Sequence, residues 1–121
     1  MSAAGWVGIG LLGGVGALAR FALDTAVSSR TGSAFPWGTL AVNATGSLLL
    51  GFVAGVALTG EALVLVASGL LGSYTTFSTW MLETQRAAED GEGRAALANV
   101  VVSLVLGFVA VALGRALGRA L

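Results

Sequence analysis

The sequence contains no cysteine and no histidine. That excludes disulfides, thiol nucleophiles and metal sites built on His or Cys. It also has no lysine, so its six cations are all arginine, and net charge is zero. No basic footprint for nucleic acid exists. Without lysine there is no Gly-x-x-x-x-Gly-Lys phosphate loop. The carboxylates sit at helix ends or in loops, so no nucleophile–base pair can be assembled and no enzyme is expected. Charged residues make up 10% of the chain, against ~25% in an average soluble domain. A chain of 121 residues leaves most of its residues near solvent. With so few charges, that solvent must be largely lipid.

What the chain does have is apolar length: 56% of it is hydrophobic. A helix of ~20 apolar residues spans a bilayer core. Four stretches qualify, at about 4–27, 36–58, 61–85 and 94–118. They predict an all-α membrane protein, a single four-helix domain over residues 1–121, multi-pass in the cell membrane. No basic stretch precedes the first apolar run, so no cleaved signal peptide is expected. Residues 28–33 form a polar loop, and Thr59-Gly60-Glu61 reads as a tight turn with Gly60 as a helix stop. The segment 86–93 is the most polar and must lie in water. The only proline, Pro36, is placed near the start of the second helix. Trp6 and Trp37 fit an interfacial belt.

Charge barely sets the orientation. Four helices put both termini on one side, with Arg115 and Arg119. The other side carries Arg30, Arg86 and Arg94, with Arg20 near the end of the first helix. So small a positive-inside bias allows insertion both ways. Two oppositely inserted copies would form an antiparallel, dual-topology dimer, the two-chain version of an inverted repeat.

Polar residues at membrane depth are costly and face a partner or a watery path. Thr39, Asn43 and Ser47 recur every four residues on one face of the second helix. Asn99, Ser103 and Gly107 do the same on the fourth. Each row is either helix–helix glue or a pathway lining. In the third helix, the residues from Glu61 to Leu71 climb roughly 16 Å, about half of a bilayer core. There the sequence turns to Gly72-Ser73-Tyr74-Thr75-Thr76-Phe77-Ser78-Thr79. Glycine freedom and hydroxyls competing for backbone bonds predict a helix break beginning there. Irregular backbone at that depth survives only inside protein or along a cavity, and freed carbonyls are ready cation ligands. In the first helix, the small residues of Gly13-Gly14-Val15-Gly16-Ala17 admit a close neighbour, and Arg20 follows. Arg20 is expected to snorkel, to bond backbone carbonyls, or to raise the potential of an anion vestibule. Gly51-x-x-x-Gly55 and Gly114-x-x-x-Gly118 are assigned to packing.

Three segments carry a resemblance to a known family. They are Gly13–Phe21 (GGVGALARF), Pro36–Gly46 (PWGTLAVNATG) and Gly72–Thr79 (GSYTTFST). With Asn99-x-x-x-Ser103 they cover nearly the whole chain, and in order, spacing and helix count the sequence resembles the small fluoride channels, Fluc or CrcB. The resemblance implies an antiparallel homodimer with a broken third helix, two fluoride pathways and one central structural sodium ion. It implies that the backbone carbonyls of Gly72 and Thr75 from both subunits hold the sodium. It implies Asn43 as the central pore donor and Phe77 with Trp80 as aromatic contacts to the anion. Thr39, Ser78, Thr79 and Ser103 then belong to the polar pathway. Trp80 stands where the family usually has Phe, and Gly107 where many relatives carry a hydroxyl. A Trp ring edge still carries positive partial charge, and its N–H is a better donor.

The expected role is passive export of cytoplasmic fluoride, relieving its toxicity. The partners implied are fluoride, the bilayer, and a second copy or a homologous second subunit. The alternatives are a small dual-topology exporter of cationic drugs, and a non-transporting subunit of a membrane assembly. The exporter would need a carboxylate deep in the membrane, whereas Asp24, Glu61 and Glu83 lie near helix ends. The assembly subunit would explain the glycine-rich faces but not Asn43, the break and the aromatic pair together.

Overall fold

A computed structural model describes all residues, Met1–Leu121, and is entirely helical. Four segments are long and apolar enough to cross a membrane. The first is α1 (Ala3–Thr31) and the second α2 (Trp37–Gly55). The third is composite: α3 (Gly60–Leu63), a π-helical stretch Val64–Leu71, α4 (Gly72–Tyr74), and, after a gap, α5 (Ser78–Glu89). The fourth is α6 (Gly93–Arg119).

Local chemistry sets the ends. Ser2 caps α1 by accepting from Gly5 N at 2.9 Å, and its hydroxyl donates to the Glu61 carboxylate at 2.7 Å. That contact pins the N-terminus to the first turn of α3. Gly32, in the left-handed region at φ 58°, closes α1, as its missing Cβ allows. Pro36 directly precedes α2. The turn after α2 differs from the expected Gly60 stop. The helix ends at Gly55, Ala57 takes φ 57°, and Gly60, at φ 65°, opens α3 instead. Trp6 and Trp37 are both exposed, as an interfacial position requires.

Glycine governs the packing. α2 lies chiefly against α6, and α1 against α2 and the upstream half of the third span, while α5 rests on α6. The two small-residue pairs assigned to packing meet face to face. A Cβ built on Gly114 would fall on the Leu48 carbonyl and lie 2.9 Å from Phe52 N. One built on Gly118 would lie 2.9 Å from the Cα of Gly55. In α1, a Cβ on Gly16 would fall on the Leu70 carbonyl. Bilayer lipid is as apolar as the side chains, so close backbone approach, not water exclusion, drives this association.

The third span breaks, but three residues later than the start of the glycine-hydroxyl cluster suggests. Gly72 remains helical at φ −62°, ψ −33°. The chain leaves the helix at Thr75, which is extended at φ −80°, ψ 159°. The Leu71 carbonyl explains the position. It receives both the N–H and the hydroxyl of Thr75, each at 3.0 Å, so side chain and backbone close the helix on one acceptor.

Candidate functional site

The break opens onto a groove of about 450 Å³ between α2, the two halves of the third span and α6. Asn43 and Ser47 reach it from α2, and Thr75, Thr76 and Phe77 from the break. Trp80 comes from α5, and Ser103, Gly107 and Phe108 from α6. None of the 16 lining residues carries a formal charge.

Asn43 holds the break open. Its Nδ2 donates to Thr76 O at 2.8 Å, and its Oδ1 accepts from Thr76 N at 2.8 Å. The amide thus replaces both helical partners that Thr76 has lost. A carboxamide has two N–H donors, so one remains for a ligand. The Thr76 hydroxyl in turn accepts from Thr79 N at 3.2 Å, tying the break to the first turn of α5. No hydrogen bond is donated to the carbonyls of Gly72 or Thr75. Oxygen donors of that kind suit a hard monovalent cation.

Phe77 and Trp80 stand edge to face, with ring centroids 5.7 Å apart at 81°. Phe77 is 70% exposed in the single chain, so packing within the subunit leaves it free. The Trp80 indole differs from expectation. Its Nε1 donates to Asn99 O at 3.0 Å, so the ring lines the groove with its N–H already committed. Ser103 lines the groove and donates to Asn99 Oδ1 at 3.4 Å, a weak contact. Gly107 leaves space, since a Cβ there would be 3.9 Å from Ser47 Oγ.

Three expected pathway residues are not among the groove's lining. Thr39 is 2% exposed and donates to the Glu83 carboxylate. Glu83 itself borders a second, more polar cavity of about 290 Å³ beside the 32–36 loop. Ser78 is exposed, outside the groove, at the start of α5. Thr79 shares that first turn, its N–H held by Thr76. Arg20 is also away from the groove, and its Nε is buried without a hydrogen-bond partner. Sequence reasoning passed over Thr76 and Phe108. Thr76-x-x-Thr79 does follow the capping spacing, but a capping signal is rarely sought inside a membrane span.

Arranged this way, the groove offers an amide N–H, hydroxyls and two aromatic rings. These can replace the water of a small, strongly hydrated anion, whose bare charge is otherwise prohibitive in a membrane. No fixed cation is present to trap it.

Comparison with known proteins fits this chemistry. A family profile described as "CrcB-like protein, Camphor Resistance (CrcB)" matches residues 7–115. A Mycobacterium bovis protein named "Fluoride-specific ion channel FluC 2" is 54% identical over 110 residues, 91% of this chain and 87% of the relative. Symbiobacterium thermophilum has a "Fluoride-specific ion channel FluC 1", 46% identical over 119 residues, 93% of this chain and 96% of its own. The "Fluoride-specific ion channel FluC" of Sorangium cellulosum is 41% identical over 121 residues, covering 96% and 95%.

Proposed function

The chain belongs to the CrcB family, and on that premise we infer that it is a fluoride channel whose pathway runs along the groove at the broken third span. The observation that carries this reading is the groove's lining: hydrogen-bond donors and aromatic rings, with no formal charge. A mobile anion needs sites strong enough to enter and weak enough to leave. Asn43 supplies an N–H, Ser47, Thr76 and Ser103 supply hydroxyls, and Phe77 with Trp80 supplies aromatic rings whose edges carry positive partial charge.

Transport is passive and outward across the cell membrane. Hydrogen fluoride crosses lipid uncharged and dissociates in a near-neutral interior. A negative interior then drives the anion out by roughly 2.3 kcal/mol per 100 mV. A proton-coupled exporter would need a carboxylate in its path, and the groove has none. Efflux of fluoride from liposomes should therefore require a charge-balancing potassium leak through valinomycin. It should not be driven by a proton gradient; uptake of a lipophilic cation driven by such a gradient would favour the exporter.

The active form is an antiparallel dimer. In one chain the groove leaves polar side chains open on the flank of a membrane-spanning bundle, where lipid cannot satisfy them. A second subunit would cover it. A structural sodium ion between the subunits fits the same geometry, because the carbonyls of Gly72 and Thr75 carry no donor. Such an ion would draw on the partial negative charge of two carbonyls from each subunit and hold the breaks in register. Replacing sodium with N-methylglucamine throughout purification and assay should lower fluoride efflux, and sodium should restore it where potassium does not. Efflux indifferent to sodium would remove the ion from this reading.

Phe77 offers a test of the aromatic contact. Phe77→Leu keeps the apolar bulk and, at an exposed position, should leave the fold intact. It loses the positive ring edge, and fluoride efflux should fall by about tenfold, equivalent to ~1.4 kcal/mol. Efflux equal to the parent would take Phe77 out of the pathway.

A further inference from the structure

We infer that Asn99 is a positioning residue of the fluoride pathway, and that it turns the one polar atom of Trp80 away from the anion. The inference rests on the groove being that pathway.

Asn99 is 1% exposed, the deepest polar side chain of the fold. It engages Trp80 twice. Its backbone carbonyl accepts from Trp80 Nε1 at 3.0 Å, and its Nδ2 donates back to Trp80 O at 3.3 Å. The same Nδ2 donates to Thr84 Oγ1 at 2.8 Å, and Thr84 Oγ1 donates to Trp80 O at 2.8 Å. The amide therefore fixes α5 against α6 at the level where the indole N–H meets the Asn99 carbonyl. On its other side Asn99 Oδ1 accepts from Ser103, a groove residue like Trp80.

The chemistry gives this arrangement a purpose. An indole N–H is a donor with no compensating acceptor. Left free in a narrow anion path, it would be a site from which fluoride leaves slowly, against the requirement for weak, successive sites. Committed to Asn99 O, it is silent, and the groove receives only the carbon frame of the ring, set at 81° to Phe77. Toward the anion, Trp80 then behaves as a larger phenylalanine.

Two measurements test this. In the full chain with Trp6→Phe and Trp37→Phe, both outside the groove, Trp80 is the sole tryptophan. Its indole 15N–1H resonance should be unmoved when potassium fluoride replaces potassium chloride. A shift that saturates with fluoride and not with chloride would overturn the inference, because the N–H would then face the anion. Second, Asn99→Leu should lower fluoride efflux about tenfold in the parent but less than about twofold when introduced into Trp80→Phe, a coupling expected only between interacting residues. Equal losses in both backgrounds would make Asn99 a general packing residue and overturn the inference. If Asn99→Leu does not fold, the resonance measurement decides alone.

Discussion

Asn43→Ala is expected to lower fluoride efflux by at least about 100-fold while leaving the protein folded. The side chain makes two bonds to Thr76, at 2.8 Å each. Its removal strands a backbone N–H and a backbone C=O inside the membrane. Each unsatisfied group costs ~1–3 kcal/mol, and about 3 kcal/mol corresponds to roughly 100-fold. The strain falls on the break, which repacks to satisfy Thr76, and Phe77 next to it loses its direction. The glycine contacts between α2 and α6 lie elsewhere on α2, at Gly51 and Gly55, so the fold should persist. Asn43→Asp keeps the acceptor for Thr76 N–H but has no donor for Thr76 O and sets a negative charge against the anion; its efflux should fall as far. Size-exclusion elution with fluoride-electrode efflux checks both. Unchanged efflux in Asn43→Ala would remove Asn43 from the pathway.

Gly114→Leu is expected to abolish folded protein altogether. The Cβ alone would occupy the position of the Leu48 carbonyl and press on Phe52 N at 2.9 Å. Both are backbone atoms in the C-terminal half of α2, so no rotamer change relieves the clash. The helices must separate, and in lipid nothing but close packing and interhelical bonds holds them. Overpacking in a well-filled core costs ~1–3 kcal/mol or more; here the obstacle is backbone and the cost lies at the upper end. The measurement is the yield of monodisperse protein in mild detergent, expected to be near background. Gly10→Leu is the control, since a Cβ at Gly10 meets nothing within 4 Å, and it should express like the parent. A well-behaved Gly114→Leu would show that α2 and α6 are not joined through these glycines.

Much of this was legible in the sequence. The spans emerge from apolar length alone, and observed ends differ from the expected ones by a few residues, most at polar loops where helices run past the membrane. The need for a break followed from Gly, Ser and Thr gathering halfway through the third span. Its position did not, because the decisive bonds are specific. The Thr75 hydroxyl closes on Leu71, and the Asn43 amide captures Thr76, 33 residues away. Periodicity placed Thr39, Asn43 and Ser47 on one face, yet only Asn43 and Ser47 line the groove, because Thr39 finds Glu83 as a partner one turn earlier. A helical face is wide, and spacing does not say which neighbour each residue on it meets. The fate of the Trp80 N–H was likewise invisible, since its acceptor is a backbone carbonyl on another helix. The resemblance named candidate pathway residues; the contacts separate those that line the groove from those that do not.

The most direct test uses the purified chain alone in liposomes loaded with potassium fluoride or potassium chloride, with efflux followed by ion electrodes after valinomycin is added. Fast fluoride release with negligible chloride release is expected, and it would establish a selective channel that needs no other subunit. No fluoride release from monodisperse, correctly folded protein, with or without a co-reconstituted homologue, would contradict the assignment.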